Sequence, residues 1–247
     1  MELTAIEVTG GILSLCYITI TLILSITLIY KYSKLRYKEI LYVGLALFGL
    51  AGPWFPEGLG FLLILLTGGG LSDVVYLIWV IVIFIVFTAY LPVALLFWLS
   101  AIMKLLNFEK SKLYLKIFLG LAVIFEIVLI VFAIVDLRLI GNFVDVFNSR
   151  ESIFVFGFYM CSMIILLITA IIFSSVSMKS ESRKVRLKGI LFLISVILFL
   201  IGGFIATIAT DIISLIISRV VLVFCSITLY LGLLLPNRIL RLLKITE

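Results

Sequence analysis

The chain has 247 residues, of which 65% are hydrophobic, with a mean hydropathy of +1.41. Soluble domains hold roughly 45–50% apolar residues, so an ordinary soluble protein is excluded; the length suits one domain, 1–247. Nineteen basic and thirteen acidic residues leave a net charge of +6, and the absence of histidine removes imidazole metal sites and imidazole acid–base chemistry.

A helix needs about 20 mostly apolar residues to cross the ~30 Å hydrocarbon layer. Seven such stretches occur, at 5–30, 40–57, 73–104, 113–135, 153–176, 189–210 and 212–235. Solid Ile/Leu/Val/Phe runs, without alternation, argue against membrane strands. The expected fold is therefore an all-α, multi-pass bundle of seven transmembrane helices in the cell membrane.

Glu2 and Glu7 lead into the first span and the basic residues follow it. That is the reverse of a signal peptide, so the segment should remain in the mature chain. The 31–39 loop then brings Lys31, Lys34, Arg36 and Lys38. The loops at 104–116 and 179–188 and the tail after Pro236 are basic as well, and together these four segments hold sixteen of the nineteen lysines and arginines. Positive residues stay inside, which places the N-terminus outside and the C-terminus inside. Insertion orientation accounts for the positive charge, so no nucleic-acid partner is implied; anionic inner-leaflet lipid is the natural counterpart.

The second span runs into "GPWFPEGLGFLLILLTGGGLSD" (52–73). Lys38 and Lys104 both lie inside, and the 65 residues between them are too few for four crossings of ~20 residues each. Two crossings leave residues over. Pro53 and Pro56 are expected to act as hinges, bending 57–67 into an apolar outer cap over the bundle mouth. Trp54 and Glu57 should then sit near its rim, and Gly68–Gly70 should permit the reversal into span three. Pro92, in "AYLPVALLFWL" of that third span, is a further hinge candidate or a packing kink.

Span four carries Glu126 in "AVIFEIVLI", ten residues before Asp136. A carboxyl at this depth is either functional or a protonated structural donor. In span six, Gly202, Ala206 and Thr210 recur every four residues, a stripe that lets helices approach closely. Span seven carries Arg219 in "ISRVVLVF", eight residues after Asp211. Arg219 should find Asp211, Glu126, Glu7, Glu57 or the outer headgroups. Glu126, Arg219, Asp211, Glu57 and Trp54 are thus the candidate ligand-binding set. Beyond Pro236, "NRILRLLKITE" spaces Arg238, Arg241 and Lys244 three apart with apolar residues between, as in a short amphipathic helix on the inner leaflet.

Other chemistries have nothing to work with. The sequence holds no glutamine, and its four asparagines lie in loops or at span ends. Carriers of polar substrates usually line their path with such groups. Span interiors lack a lysine for a Schiff base, and Cys16, Cys161 and Cys225 stand in three separate spans. No catalytic residue, metal or cofactor is implied.

The order of features resembles the seven-helix sensor modules of prokaryotic histidine kinases. It runs from a basic loop after span one through the proline- and aromatic-containing span three to "MKSESRKVRLKG" after span five and a basic exit. Uncharacterised archaeal multi-pass proteins look similar. The resemblance implies a non-enzymatic sensor or receptor with an outer-side pocket for a lipophilic ligand. Those sensors continue into a cytoplasmic signalling domain, whereas this chain stops at Glu247. Output would then pass to a separate cytoplasmic partner at the basic loops and C-terminal helix, or has been lost. Two alternatives stay open. "IMKLLNFE" (102–109) echoes "ILRLLKITE" (239–247), as in a small transporter built from parallel three-helix repeats around a fourth span. The other is a membrane scaffold without a ligand.

Overall fold

The computed structural model describes residues 3–144, 146–147, 149–208 and 211–234. Among these residues, eight α-helices and one hairpin follow in order. They are α1 (Ala5–Leu35), α2 (Lys38–Leu50), α3 (Phe55–Thr67), α4 (Asp73–Leu105), α5 (Ser111–Val135), β1 (Gly141–Phe143), β2 (Ser149–Glu151), α6 (Ile153–Met178), α7 (Arg183–Ile208) and α8 (Ile212–Leu234). Counting α2 with α3 as one span, seven helices among the described residues are long and apolar enough to cross a membrane. The protein is an all-α, multi-pass membrane protein. The amphipathic segment expected after Pro236, with Arg238, Arg241 and Lys244, lies outside the described residues, as does Thr210.

The chain divides into two compact units, with the boundary inside α6 between Cys161 and Ser162. In the first unit, α1 opens on a capping box. Thr4 Oγ1 accepts from Glu7 N, and the Glu7 carboxylate accepts from Thr4 N at 2.7 Å. This satisfies donors that a helix start leaves bare. The helix ends with Arg36 in the left-handed conformation (φ 59°), and α2 runs back antiparallel to it. Ser25 Oγ donates to Gly44 O at 2.7 Å, fixing that register.

The expected bend at the prolines is replaced by a tightened turn. Gly52–Trp54 forms a single 3-10 turn whose flanking residues, Ala51 and Phe55, keep right-handed helical angles, and α3 continues directly. Pro53 lies in that turn and Pro56 in the first turn of α3, where the missing N–H costs no helical bond. Contacts with α1 advance in step: Gly44 faces Leu28, Gly58 faces Ile18, and Gly11 faces the Phe61 ring. The same holds on the other side, where Gly49 meets Ala94, Phe55 stacks on Phe87 at 3.9 Å and Gly60 meets Val80. Residues 57–67 are therefore the second half of span two, wedged between α1 and α4. They form no cap, and Leu62, Leu65 and Leu66 are exposed.

The reversal after α3 follows its sequence signal. Gly68 (φ 59°) and Gly69 (φ 73°) take left-handed angles that favour glycine. Tyr76 OH bonds Thr67 Oγ1 and accepts from Leu71 N, closing the turn. α4 then runs unbroken through Pro92 to Leu105, and Lys104 pairs with Glu39 at 2.6 Å.

The second unit comprises the rest of α6 with α7 and α8. Its glycines bring helices into backbone contact. A methyl on Gly202 would lie 2.8 Å from Leu222 and 3.3 Å from the Ser218 carbonyl, and one on Gly232 would lie 3.0 Å from Phe192 N. Ser218 Oγ donates to Gly202 O at 2.9 Å, and Lys188 Nζ donates to the Leu233 carbonyl near the end of α8. The Gly202 end of the small-residue stripe thus serves internal packing.

Candidate functional site

The α5–α6 connection is the feature that builds a site. Asp136 accepts from Arg138 N at 2.9 Å and starts a 3-10 turn over Leu137–Leu139, after which β1 and β2 pair antiparallel, Gly141 opposite Glu151. The hairpin region turns apolar side chains onto α3 and α4. Val146 joins Ile64, Tyr76 and Val80 in one buried cluster, with Leu3, Leu63 and Phe147 against it. Phe147 meets Phe61 edge-on at 6.3 Å, and Phe143 meets Phe84 edge-on at 5.1 Å.

These contacts climb one face of α4, because residues four apart in a helix share a face. Val80 sits under Val146, and Phe84 sits under Phe143. One turn further, Thr88 Oγ1 and Tyr159 OH share a buried hydrogen bond of 3.1 Å. Thr88 is 1% exposed and Tyr159 8%. Thr88 is also the residue whose carbonyl would bond the N–H that Pro92 lacks. A buried polar pair therefore coincides with the weak point of the α4 backbone. Glu151, at the end of β2, lies within electrostatic reach of Tyr159. Burial pushes the Glu151 carboxyl above its ordinary value, partly offset by a backbone hydrogen bond.

The residues expected to form a ligand set are distributed differently. Trp54 is 5% exposed, edge-on to Tyr17 at 5.0 Å, and Glu57 accepts a 2.7 Å hydrogen bond from Ser14 Oγ. The two converge on one stretch of α1, inside the α1–α3 contact and away from any rim. Glu126 stands on α5 beside Phe125, whose ring stacks on Phe154 and Phe158 of α6. Asp211 and Arg219 belong to the second unit. Asp211 caps α8, accepting from Ser214 Oγ at 2.6 Å and Ser214 N at 2.9 Å; these bonds hold its carboxyl below the usual range. Arg219 is buried on α8, next to Ser218.

Thr88, Tyr159, Phe143 and Val146 escaped the sequence reading. A signal was there: the connection from Leu137 to Ser152 exceeds the ~12–15 residues beyond which an unstructured loop is unusual. Its cluster of apolar residues, Phe143, Val144, Val146 and Phe147, would not be left in water without something to pack on. No protein-family model matches the chain, and no curated protein or solved structure matches it.

Proposed function

We propose that the protein is a non-enzymatic, receptor- or sensor-like protein of the cell membrane, its N-terminus outside and its basic loops inside. The ligand is lipophilic, carries one polar group, and binds beneath the 141–151 hairpin at the Thr88–Tyr159 pair. The observation that carries this reading is the hairpin seated over a buried hydroxyl pair one turn from Pro92. The Phe84–Phe143 contact lies one turn of α4 away, so the position combines aromatic contact with one hydrogen-bonding pair. Such a lining suits a largely apolar molecule.

A ligand that breaks the Thr88–Tyr159 bond acts on α4 where its backbone bonding is weakest. α4 continues to Lys104, which is paired with Glu39, so a shift there reaches the basic end, where a separate cytoplasmic partner reads it. The outer cover expected of 57–67 falls instead to the hairpin.

The transporter reading is less well supported. α7 has no counterpart of the 3-10 turn at Gly52–Trp54. That difference disfavours a matched repeat.

Native mass spectrometry of the gently solubilised protein tests the proposal. The wild type should retain a small lipophilic molecule, and Thr88→Val with Tyr159→Phe should lower its occupancy several-fold. A folded double variant that retains the same molecule at the same occupancy removes the site from this position. Labelling of a cysteine placed beside Lys38 from outside intact cells would overturn the orientation.

A further inference from the structure

A second observation concerns α5 and stands whether or not the ligand reading holds. α5 is the least buried span, with 17% of its most apolar window covered against 61% for the α2–α3 span. Its buried residues are Ala122, Phe125 and Leu129. Beside them Glu126 is half-buried, and its carboxyl has no hydrogen-bond or ion-pair partner among the described residues. The other glutamates in spanning helices are each engaged: Glu7 with Thr4, Glu39 with Lys104 and Glu57 with Ser14.

Glu126 cannot escape by length. It stands nine residues from Val135 and fifteen from Ser111, or about 14 Å and 22 Å along the helix at ~1.5 Å per residue. A lipid amine at the headgroup level is out of reach from there. The positions one turn away are Ala122, Val123, Leu129 and Ile130, none of which has a side-chain donor. A carboxyl left this way in hydrocarbon is costly and marks a position awaiting a partner.

The flank around it has the form of a helix-packing seam. Leu119, Val123, Glu126 and Ile130 follow at spacings of four, three and four, the heptad pattern of two helices packed side by side. The three apolar members are 49%, 49% and 55% exposed. A methyl on neighbouring Gly120 would meet nothing within 4 Å, so the approach is open.

We propose that the Leu119–Val123–Glu126–Ile130 flank of α5 docks a separate membrane-spanning helix that carries a lysine or arginine at mid-depth. The complementary charge identifies the occupant. A cation converts the lone acid into a hydrogen-bonded ion pair, which an apolar helix does not. Because both partners bury a charge that is expensive alone, the pairing is selective as well as attractive.

The test uses the full chain in phosphatidylcholine vesicles and synthetic leucine-rich spanning helices, with association read by energy transfer between fluorophores. One helix carries a single central lysine, a second has leucine there, and a third has the lysine moved near one end. The central-lysine helix should bind roughly tenfold more tightly than the other two. Glu126→Gln should lower it to the leucine-helix level. Val123→Trp, on the exposed flank, should block binding while leaving the acid in place. Equal binding of the lysine and leucine helices overturns the proposal, as does binding unchanged by both substitutions. Self-association of the chain that depends on Glu126, without preference for the lysine helix, would assign the flank to a second copy and overturn it too.

Discussion

In the first unit, α1, the α2–α3 span and α4 are 31, 30 and 33 residues long, and side chains pin them at intervals along their length. In the second, α7 and α8 approach closely at Gly202 and Gly232, where an added methyl would crowd Leu222, the Ser218 carbonyl and the Phe192 backbone. In the first unit, Gly11, Gly49, Gly58 and Gly60 are sockets for the side chains of Phe61, Tyr90, Ile18 and Val146. A 31-residue helix is about 46 Å long at ~1.5 Å per residue, against about 30 Å of hydrocarbon. The first unit also carries polar pins, Ser14–Glu57 and Thr67–Tyr76, and seats the hairpin on α3 and α4. The second unit relies on close approach of α7 and α8 and on the Ser218–Gly202 hydrogen bond.

The largest effect expected of this contrast comes from filling a glycine socket. Gly11→Leu places a side chain in the space of the Phe61 ring and should destabilise the first unit by about 1–3 kcal/mol. Gly120→Leu, facing open space, should leave stability unchanged. Thermal unfolding in detergent reads both, and equal effects would erase the distinction between socket and surface glycines.

Next in size is the hairpin. Val146→Ala removes two buried methyl groups and should cost ~1–2 kcal/mol. Amide exchange should rise over Gly141–Phe143 and stay constant over α7 and α8; a uniform rise would show that the units do not respond separately. Tyr159→Phe follows, at about 0.5–1.5 kcal/mol for the lost hydrogen bond, and should raise exchange around Thr88.

Glu151 adds a pH dependence whose sign is fixed by burial. Its folded-state pKa lies above the unfolded value, so the folded form favours the protonated acid. Stability should therefore fall as pH rises from the ordinary glutamate value through the raised one, then level off. Glu151→Gln should flatten that slope; an unchanged slope would place its source elsewhere. The smallest effect belongs to Lys104–Glu39, where the lysine is half exposed: Lys104→Met should cost ~0–1 kcal/mol, less in high salt.

The seven spans were legible because length and hydropathy alone define a membrane helix, and the Gly68–Gly70 reversal because positive φ favours glycine. Span two was read too short. Pro53 and Pro56 look like breakers, yet one 3-10 turn absorbed Pro53 and the first turn of α3, where a proline removes no bond, absorbed Pro56. The candidate site was barely legible. Trp54 and Glu57 drew notice as rim residues, but their partners Tyr17 and Ser14 lie some forty positions earlier in α1. Thr88 and Tyr159 are 71 positions apart and carry no local pattern, so only the packing of α4 with α6 brings them together.

Hydrogen exchange followed by mass spectrometry, before and after exhaustive delipidation, tests most directly whether the first unit is the ligand-responsive one. Removal of a bound lipophile should change protection over residues 141–151 and around Thr88 and Tyr159, while α7 and α8 keep theirs. An identical exchange pattern in the two preparations, or a change confined to α7 and α8, would contradict a ligand site beneath the hairpin.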